Sequence, residues 1–332
     1  MVNIFIKLLE QPDIQKNLVK LSENYTQNVT SINNHTQPFT NYSASNTNQG
    51  DGLVIITGRF RSGSTLLWNL FRQSNEFTAF YEPFNERQWF NSSMRGLNVD
   101  NTHRGVSDYW AEYENFDELI PLYNEEWIRK SLYMNGSYYE PKMREFIDKI
   151  IEKSENRTVL QFNRIDFRIE WFKKQYPLAK IIHLYRSPRD QWCSSLSDKT
   201  LMNQHDVEHT YKDSFYLDVW CEDLYKQFPF LHKSVTPHPY MRFYYLWKLS
   251  YIFGVQYADI SLSYEELVIE PKKIVENLRE CVGFGADMTE NAASLINVTS
   301  LGAWTKYAVE DWFFEKEQAC EIELEQFLLS KL

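Results

Sequence analysis

LVIITGRFRSGSTLLWNLF, residues 53–71, holds two signals back to back. LVIIT (53–57) is an unbroken β-branched apolar run, which reads as a strand buried on both faces. A glycine-containing turn follows, then a helix from Thr65 to about Gln73. Working outward, FTAFY (77–81), TVLQF (158–162) and KIIHLY (180–185) read as further strands. A helix is expected around Arg168–Gln175, and Ser187-Pro188 opens another through Leu196. Alternating helices and buried strands imply an α/β fold: a central parallel sheet with right-handed crossovers in a three-layer αβα sandwich. YMRFYYLWKLSYIFG (240–254) is apolar nearly all round and reads as a core helix. YADISLSY (257–264) is expected as a late strand, followed by helices at about 271–282, 286–296 and 315–331.

Two aromatic-rich stretches, 88–150 and 198–239, interrupt the alternation, and segments that long are expected to form lids or substrate walls. Residues 1–22 carry apolar positions at helical spacing, and 23–51 are rich in Asn, Thr, Ser and Gln. Residues 1–51 therefore read as a partly flexible helix and linker, and 52–332 as one domain.

The chain has 332 residues, 35 Lys+Arg against 45 Asp+Glu and a formal charge of −10. That acidic balance argues against a nucleic-acid partner, which needs a basic footprint. No stretch approaches the ~18–20 apolar residues of a membrane span. MVNIFIKLLEQ has too short an apolar run for a secretory signal, and Cys193, Cys221, Cys281 and Cys320 form no CxxC pair. The expectation is a cytoplasmic protein without a structural metal, in which the N-x-S/T sites at Asn24, Asn28, Asn34 and Asn41 stay unmodified.

Gly58-Arg59-Phe60-Arg61-Ser62-Gly63-Ser64-Thr65 has the spacing of a phosphate loop, G-x4-G-K-[ST], with Ser64 where the lysine belongs. Backbone N–H groups of residues 62–66 and the helix N-terminus can still converge on an anion. The cation has moved to Arg61. ATP-using loops need the lysine, Mg²⁺ and an acid at a neighbouring strand end, whereas KIIHLY runs into Arg186. The loop reads as built for an anion that transfers without a metal. Arg186-Ser187-Pro188-Arg189-Asp190 follows its strand directly, and Ser194 lies eight residues past Arg186, so both can donate to one phosphate. Two such sites suit a nucleotide with phosphates on its 5′ and 3′ sides.

RSGSTLLWNLF, YEPF, LYRSPRD, SYEEL with EPKK, and LGAWTKY, in this order, resemble the sulfotransferases that use 3′-phosphoadenosine 5′-phosphosulfate (PAPS). The resemblance spans about residues 53–310. It implies that the 58–66 loop, with Arg59, Arg61, Ser62, Gly63, Ser64, Thr65 and Leu66, holds the 5′-phosphosulfate. It implies that Arg186 and Ser194 hold the 3′-phosphate and that Tyr264 sits by the adenine. Thr299, Ser300, Leu301, Gly302, Trp304 and Lys306 would close over the nucleotide. Departures accompany it. Leu66 stands where many cytosolic members stack a tryptophan, and Asn297-Val298-Thr299 replaces their Arg-Lys-Gly, so Lys306 or Arg59 is expected to supply charge. Their catalytic histidine follows the strand at 158–162; here Asn163-Arg164 stands there.

The base must then be sought elsewhere, among Glu82, His183, His205, His209 and Asp166. Glu82 ends the second strand, at the sheet edge where ligands of open α/β folds bind. RSGST with FYEP also resembles carbohydrate and tyrosylprotein sulfotransferases, whose base is an acid at this point. Glu82 is therefore expected as the base and Arg61 as the group that neutralises the leaving phosphate. His183 reads as a core histidine, His205 and His209 as part of a solvated helix face, and Asp166 as a helix cap. DYWAEYENFDELIPLYNEEW (108–127) has seven acids among aromatics. It is read as an acidic solvated helix with a core stripe, or as a lid for a cationic small molecule. Some relatives modify natural products, guanidinium alkaloids among them. The expected reaction is sulfonyl transfer to a hydroxyl or amine of a small-molecule acceptor. The alternatives are a carbohydrate O-sulfotransferase, an ATP-dependent kinase, and a non-catalytic nucleotide-binding module.

Overall fold

The computed structural model describes residues 52–95, 106, 108–286, 288, 296 and 301–329. The expected N-terminal helices and linker, and most of the expected 286–296 helix, lie outside the described residues. The elements run β1 (Val54–Thr57), α1 (Ser64–Arg72), β2 (Phe77–Tyr81), α2 (Pro141–Lys153), β3 (Arg157–Phe162), α3 (Ile169–Gln175) and β4 (Lys180–Tyr185). There follow α4 (Pro188–Ser195), α5 (Val207–Thr210), α6 (Leu217–Leu224), α7 (Pro239–Tyr257), β5 (Ile260–Ser263), α8 (Tyr264–Ile269), α9 (Pro271–Val282) and α10 (Glu310–Leu329). Among the described residues the chain groups into two compact units, one within 52–187 and 257–301, the other within 188–256 and 302–329.

The first unit is an α/β sandwich on a five-stranded sheet in the order β2-β3-β1-β4-β5, every pair parallel. β1 is central, with Val54 opposite Val159 on one side and Lys180 on the other. Its Val54, Ile55, Ile56 and Thr57 are fully buried, as a strand covered on both faces must be. α1 buries Leu67, Trp68, Leu70 and Phe71, and the Trp68 indole donates to the Ala79 carbonyl of β2 at 2.9 Å.

Residues 108–127 do not form a helix. They form short 3-10 turns at Ala111–Tyr113, Asp117–Leu119 and Glu125–Ile128. Tyr109, Tyr113, Phe116 and Trp127 are buried, Tyr113 against Phe80 and Trp127 against Phe84 and Phe146, while six of the seven acids are exposed. These four rings are core, whereas Trp110 and Tyr123 are half-buried. Asp108 and Glu112 both pair with Arg72 of α1. The buried Arg168 guanidinium fixes the stretch that follows by donating to the carbonyls of Trp127, Lys130 and Ser131.

The second unit is helical. α7 is buried along much of its length, as its apolar sequence requires. Lys248 on it pairs with the equally buried Glu321 of α10, whose carboxylate also accepts from the Tyr244 hydroxyl at 2.6 Å. Trp220, Phe228 and Phe230 of the 198–239 stretch are core residues of this unit. Among the described residues no helix is long and apolar enough to cross a membrane.

Candidate active site

Because all five strands are parallel, their carboxyl ends share one sheet edge. That edge collects the loop after β1, Glu82 after β2, Asn163 and Arg164 after β3, Arg186 after β4 and Tyr264 after β5. β1 leads to β2 on one side of the sheet, and its neighbour β4 leads to β5 on the other. The crevice between two strands whose connections diverge is where open α/β sheets bind ligands. The 58–63 loop and Arg186 flank it.

Gly58 leaves β1 with its N–H on the Phe162 carbonyl at 3.3 Å, and a Cβ there would lie 2.5 Å from the Leu184 carbonyl oxygen. Arg61 and Gly63 both take left-handed backbone angles, φ 67° and 96°. Gly63 starts α1 with no side-chain cap, and the first turn holds no acid. The first-turn amides of a helix have no carbonyl one turn upstream, so this end favours an anion. The amide set is smaller than the 62–66 expectation, since Ser62 N–H donates to the Arg59 carbonyl and Leu66 N–H to that of Gly63. The tight turn itself uses those two donors. The Ser62 hydroxyl, fully buried, has no hydrogen-bond partner among the described residues. Thr65 Oγ1 lies 3.0 Å from the Tyr81 hydroxyl, and Leu66 is half-buried.

Arg186 meets this loop. Its Nη1 donates to the Arg61 carbonyl at 3.3 Å, and its guanidinium carbon lies 4.8 Å from the Tyr264 ring centroid. Arg59 is buried and pairs with Asp166 at 3.8 Å. Asp166 also accepts from Thr57 Oγ1 at 3.1 Å, so it is no helix cap; α3 starts at Arg168 without a side-chain cap. The buried Asp166 carboxylate thus lies beside the Arg59 guanidinium.

Glu82 is 4% exposed and sits at a left-handed φ of 42°, a costly conformation for a non-glycine residue and one concentrated at functional sites. Its N–H continues the ladder to the Gln161 carbonyl at 2.9 Å. Asn163 Nδ2 donates to one carboxylate oxygen and Arg164 Nη1 to the other. Arg164, itself buried, reaches Glu86 at 2.6 Å with its second nitrogen and lies over the Phe60 ring at 4.9 Å. Ser64 Oγ donates to Asn163 Oδ1 at 2.7 Å, and Gln161 Nε2 donates to both. In the place of a phosphate-loop lysine, then, stands a hydroxyl wired to the Glu82 carboxylate; only the Ser64 backbone N–H is left for an anion. Asn163, Arg164 and Gln161 went unassigned in the sequence. The signal for them was the Asn163-Arg164 pair at the strand end where a histidine was sought.

The histidines resolve as core and surface. His183 is buried in β4 with Nδ1 2.7 Å from Ser261 Oγ, and burial lowers its pKa to about 3. His205 and His209 are exposed on and beside α5. Among the described residues no group of three or more His, Cys, Asp or Glu is arranged to hold a metal ion.

Ser194, Gly302, Trp304 and Lys306, among the other expected nucleotide contacts, belong to the helical unit. Ser194 is half-buried on α4. Asp190, at the start of α4, accepts from the backbone N–H of Gly302 at 2.8 Å and of Trp304 at 3.1 Å, which pins the 3-10 turn Ala303–Lys306. Arg189 lies over the Trp304 ring at 4.9 Å and forks onto Glu317. Lys306 is exposed and Leu301 half-buried, whereas Thr299 and Ser300 lie outside the described residues.

A sequence profile described as "Sulfotransferase family" matches residues 54–287, which include all five strands and every strand-end residue above. The chain belongs to the sulfotransferase family. It is a transferase of that type. No curated protein matches it. Among solved structures it is similar to the crystal structure of a sulfotransferase from Alicyclobacillus acidocaldarius, at 13% identity and a TM-score of 0.38, over 83% of this chain and 96% of that one.

Proposed function

We propose that this sulfotransferase moves the sulfonate of PAPS to a hydroxyl or amine of a small-molecule acceptor, with Glu82 as the base. The observation that carries this reading is the meeting of Arg186 with the Arg61 turn beside the uncapped start of α1, at the edge that also holds the Glu82 carboxylate. The residues suit a phosphosulfate: first-turn amides, a buried Ser62 hydroxyl with no partner among the described residues, two arginines, and no acid in the first helical turn. PAPS supplies a sulfonate joined to a phosphate that leaves readily. Glu82 takes the acceptor's proton as the new bond to sulfur forms and the sulfur–oxygen bond to the phosphate breaks. Arg61 and the Gly63–Thr65 amides stabilise the charge that returns to the phosphate. Asn163 and Arg164 hold the two Glu82 oxygens in place for that transfer.

Calorimetry of the full-length chain with 3′-phosphoadenosine 5′-phosphate (PAP), against ATP with Mg²⁺, tests the reading. Binding of PAP alone is the expected result, and preference for ATP–Mg²⁺ would overturn the PAPS reading. An acceptor panel at varied ionic strength follows; sulfated glycans as the preferred acceptors would favour the carbohydrate O-sulfotransferase reading.

A further inference from the structure

The segment after β5 bears on Arg186 through three contacts. The Tyr264 ring lies 4.8 Å from the Arg186 guanidinium carbon. Glu265 Oε1 accepts from the backbone N–H of Ser187, the residue next to Arg186, at 2.9 Å. Ser263 Oγ donates to Glu265 Oε2 at 2.9 Å and so fixes that carboxylate. The Tyr264 ring also covers Gly63: a Cβ on Gly63 would lie 2.3 Å from ring carbon Cδ2. Tyr264 is 5% exposed, so little of its ring face is open to a purine.

We propose that Tyr264 and Glu265 are positioning residues that hold the Arg186 guanidinium against the anion loop, and that Tyr264 does not itself stack on the nucleotide base. This rests on the reading of Arg186 as an anion contact. An arginine side chain has many rotamers, and a planar ring under its guanidinium selects the one that reaches the Arg61 carbonyl. Glu265 fixes the backbone from which that side chain starts. The ring and the oxygen that accepts from Ser187 carry the effect, and a glutamine keeps that oxygen while its amide can donate to the Ser263 hydroxyl, so variants that keep these groups keep the function.

The test is PAP titration calorimetry on the full chain with Y264F, Y264L, E265Q, E265A, R186A and the double variant Y264L/R186A. Y264F and E265Q retain PAP affinity within about threefold, whereas Y264L and E265A lose about tenfold, as expected when a charge-assisted contact is disordered. Adding Y264L to R186A costs nothing further, the non-additivity of two residues acting through one group. A Y264F loss as large as that of Y264L would overturn the proposal, because the hydroxyl would then touch the nucleotide itself. Additive losses in Y264L/R186A would overturn it too. Should Y264L fail to fold, E265A against E265Q, each with and without R186A, makes the same comparison. A wild type indifferent to PAP sinks the PAPS reading alone; the same variant pattern is then read with inorganic sulfate as the probe. A wild type that binds neither anion overturns both.

Discussion

Replacing Gly63 by alanine tests the loop where it is least forgiving. The residue sits at φ 96°, and its missing Cβ would lie 2.3 Å and 2.5 Å from two carbons of the Tyr264 ring. An L-residue with left-handed backbone angles costs about 1–2 kcal/mol. The ring would have to retreat by more than about 1 Å to restore ordinary carbon contact. Tyr264 is buried, so that retreat is overpacking and costs about 1–3 kcal/mol more. The sum, about 2–5 kcal/mol, corresponds to a Tm lower by roughly 5–15 °C for a unit of this size. The assay is thermal unfolding of G63A, Y264A and G63A/Y264A with and without PAP. The double variant removes the overlap and keeps the backbone strain, so it should be at least about 1 kcal/mol more stable than the sum of the single changes implies. A G63A variant within about 0.5 kcal/mol of wild type, or strictly additive changes, would refute the packing of Tyr264 on the loop.

Glu82→Gln should keep PAP affinity and lower turnover by about 10²–10⁴, read by acceptor sulfation beside calorimetry; unchanged turnover would remove Glu82 as the base. Arg186→Ala should weaken PAP by about 1.5–3 kcal/mol, with a shallower salt dependence of binding than wild type. Arg164→Met leaves the Glu82 carboxylate buried beside Glu86 without its cation and should cost about 3–5 kcal/mol in urea unfolding, most of it recovered in E82Q/R164M. His183 has a native pKa of about 3, below its ordinary 6.5, so its share of stability is complete above pH 6.5 and is lost as pH falls toward 3. His183→Gln should therefore flatten the stability slope between pH 6 and 4 by up to about 1.4 kcal/mol per pH unit, measured by urea unfolding at stepped pH.

The strands were legible because each is a short run of apolar residues with no competing signal. FTAFY and KIIHLY form strands over the residues that spell them. YADISLSY is cut to Ile260–Ser263 at one end by α7, which runs on through Tyr257, and at the other by Ser263, whose hydroxyl accepts from the Glu266 N–H and starts a helix. The S-x-x-E spacing of that capping box was present in the sequence. The last helix begins at Glu310, not 315, with Glu310 and Asp311 in its first turn where acids are favoured. What no local pattern could supply is strand order. Asn163 and Glu82 lie 81 residues apart and meet because β3 pairs with β2; Arg186 meets Arg61 because β4 pairs with β1. The loop, the glutamate and the Arg186 strand end could each be picked out singly, while the partners that orient them could not.

Strand order also explains why the lysine position is occupied as it is. β3 lies between β1 and β2, so the residues leaving β3 fall between the anion loop and Glu82. A lysine at position 64 would remove the hydroxyl that joins Asn163 and Gln161 in a buried network leading to Glu82. Ser64→Lys should therefore fail to create an ATP site. It would leave the Asn163 and Gln161 groups that now bond the Ser64 hydroxyl without that partner and bring a charge into a buried position, both of which cost stability. Thermal unfolding and ATP–Mg²⁺ calorimetry on S64K check this. A variant as stable as wild type that binds ATP–Mg²⁺ would mean that position 64 faces the anion, and that the Ser64–Asn163–Glu82 chain does not govern how this edge of the sheet is built.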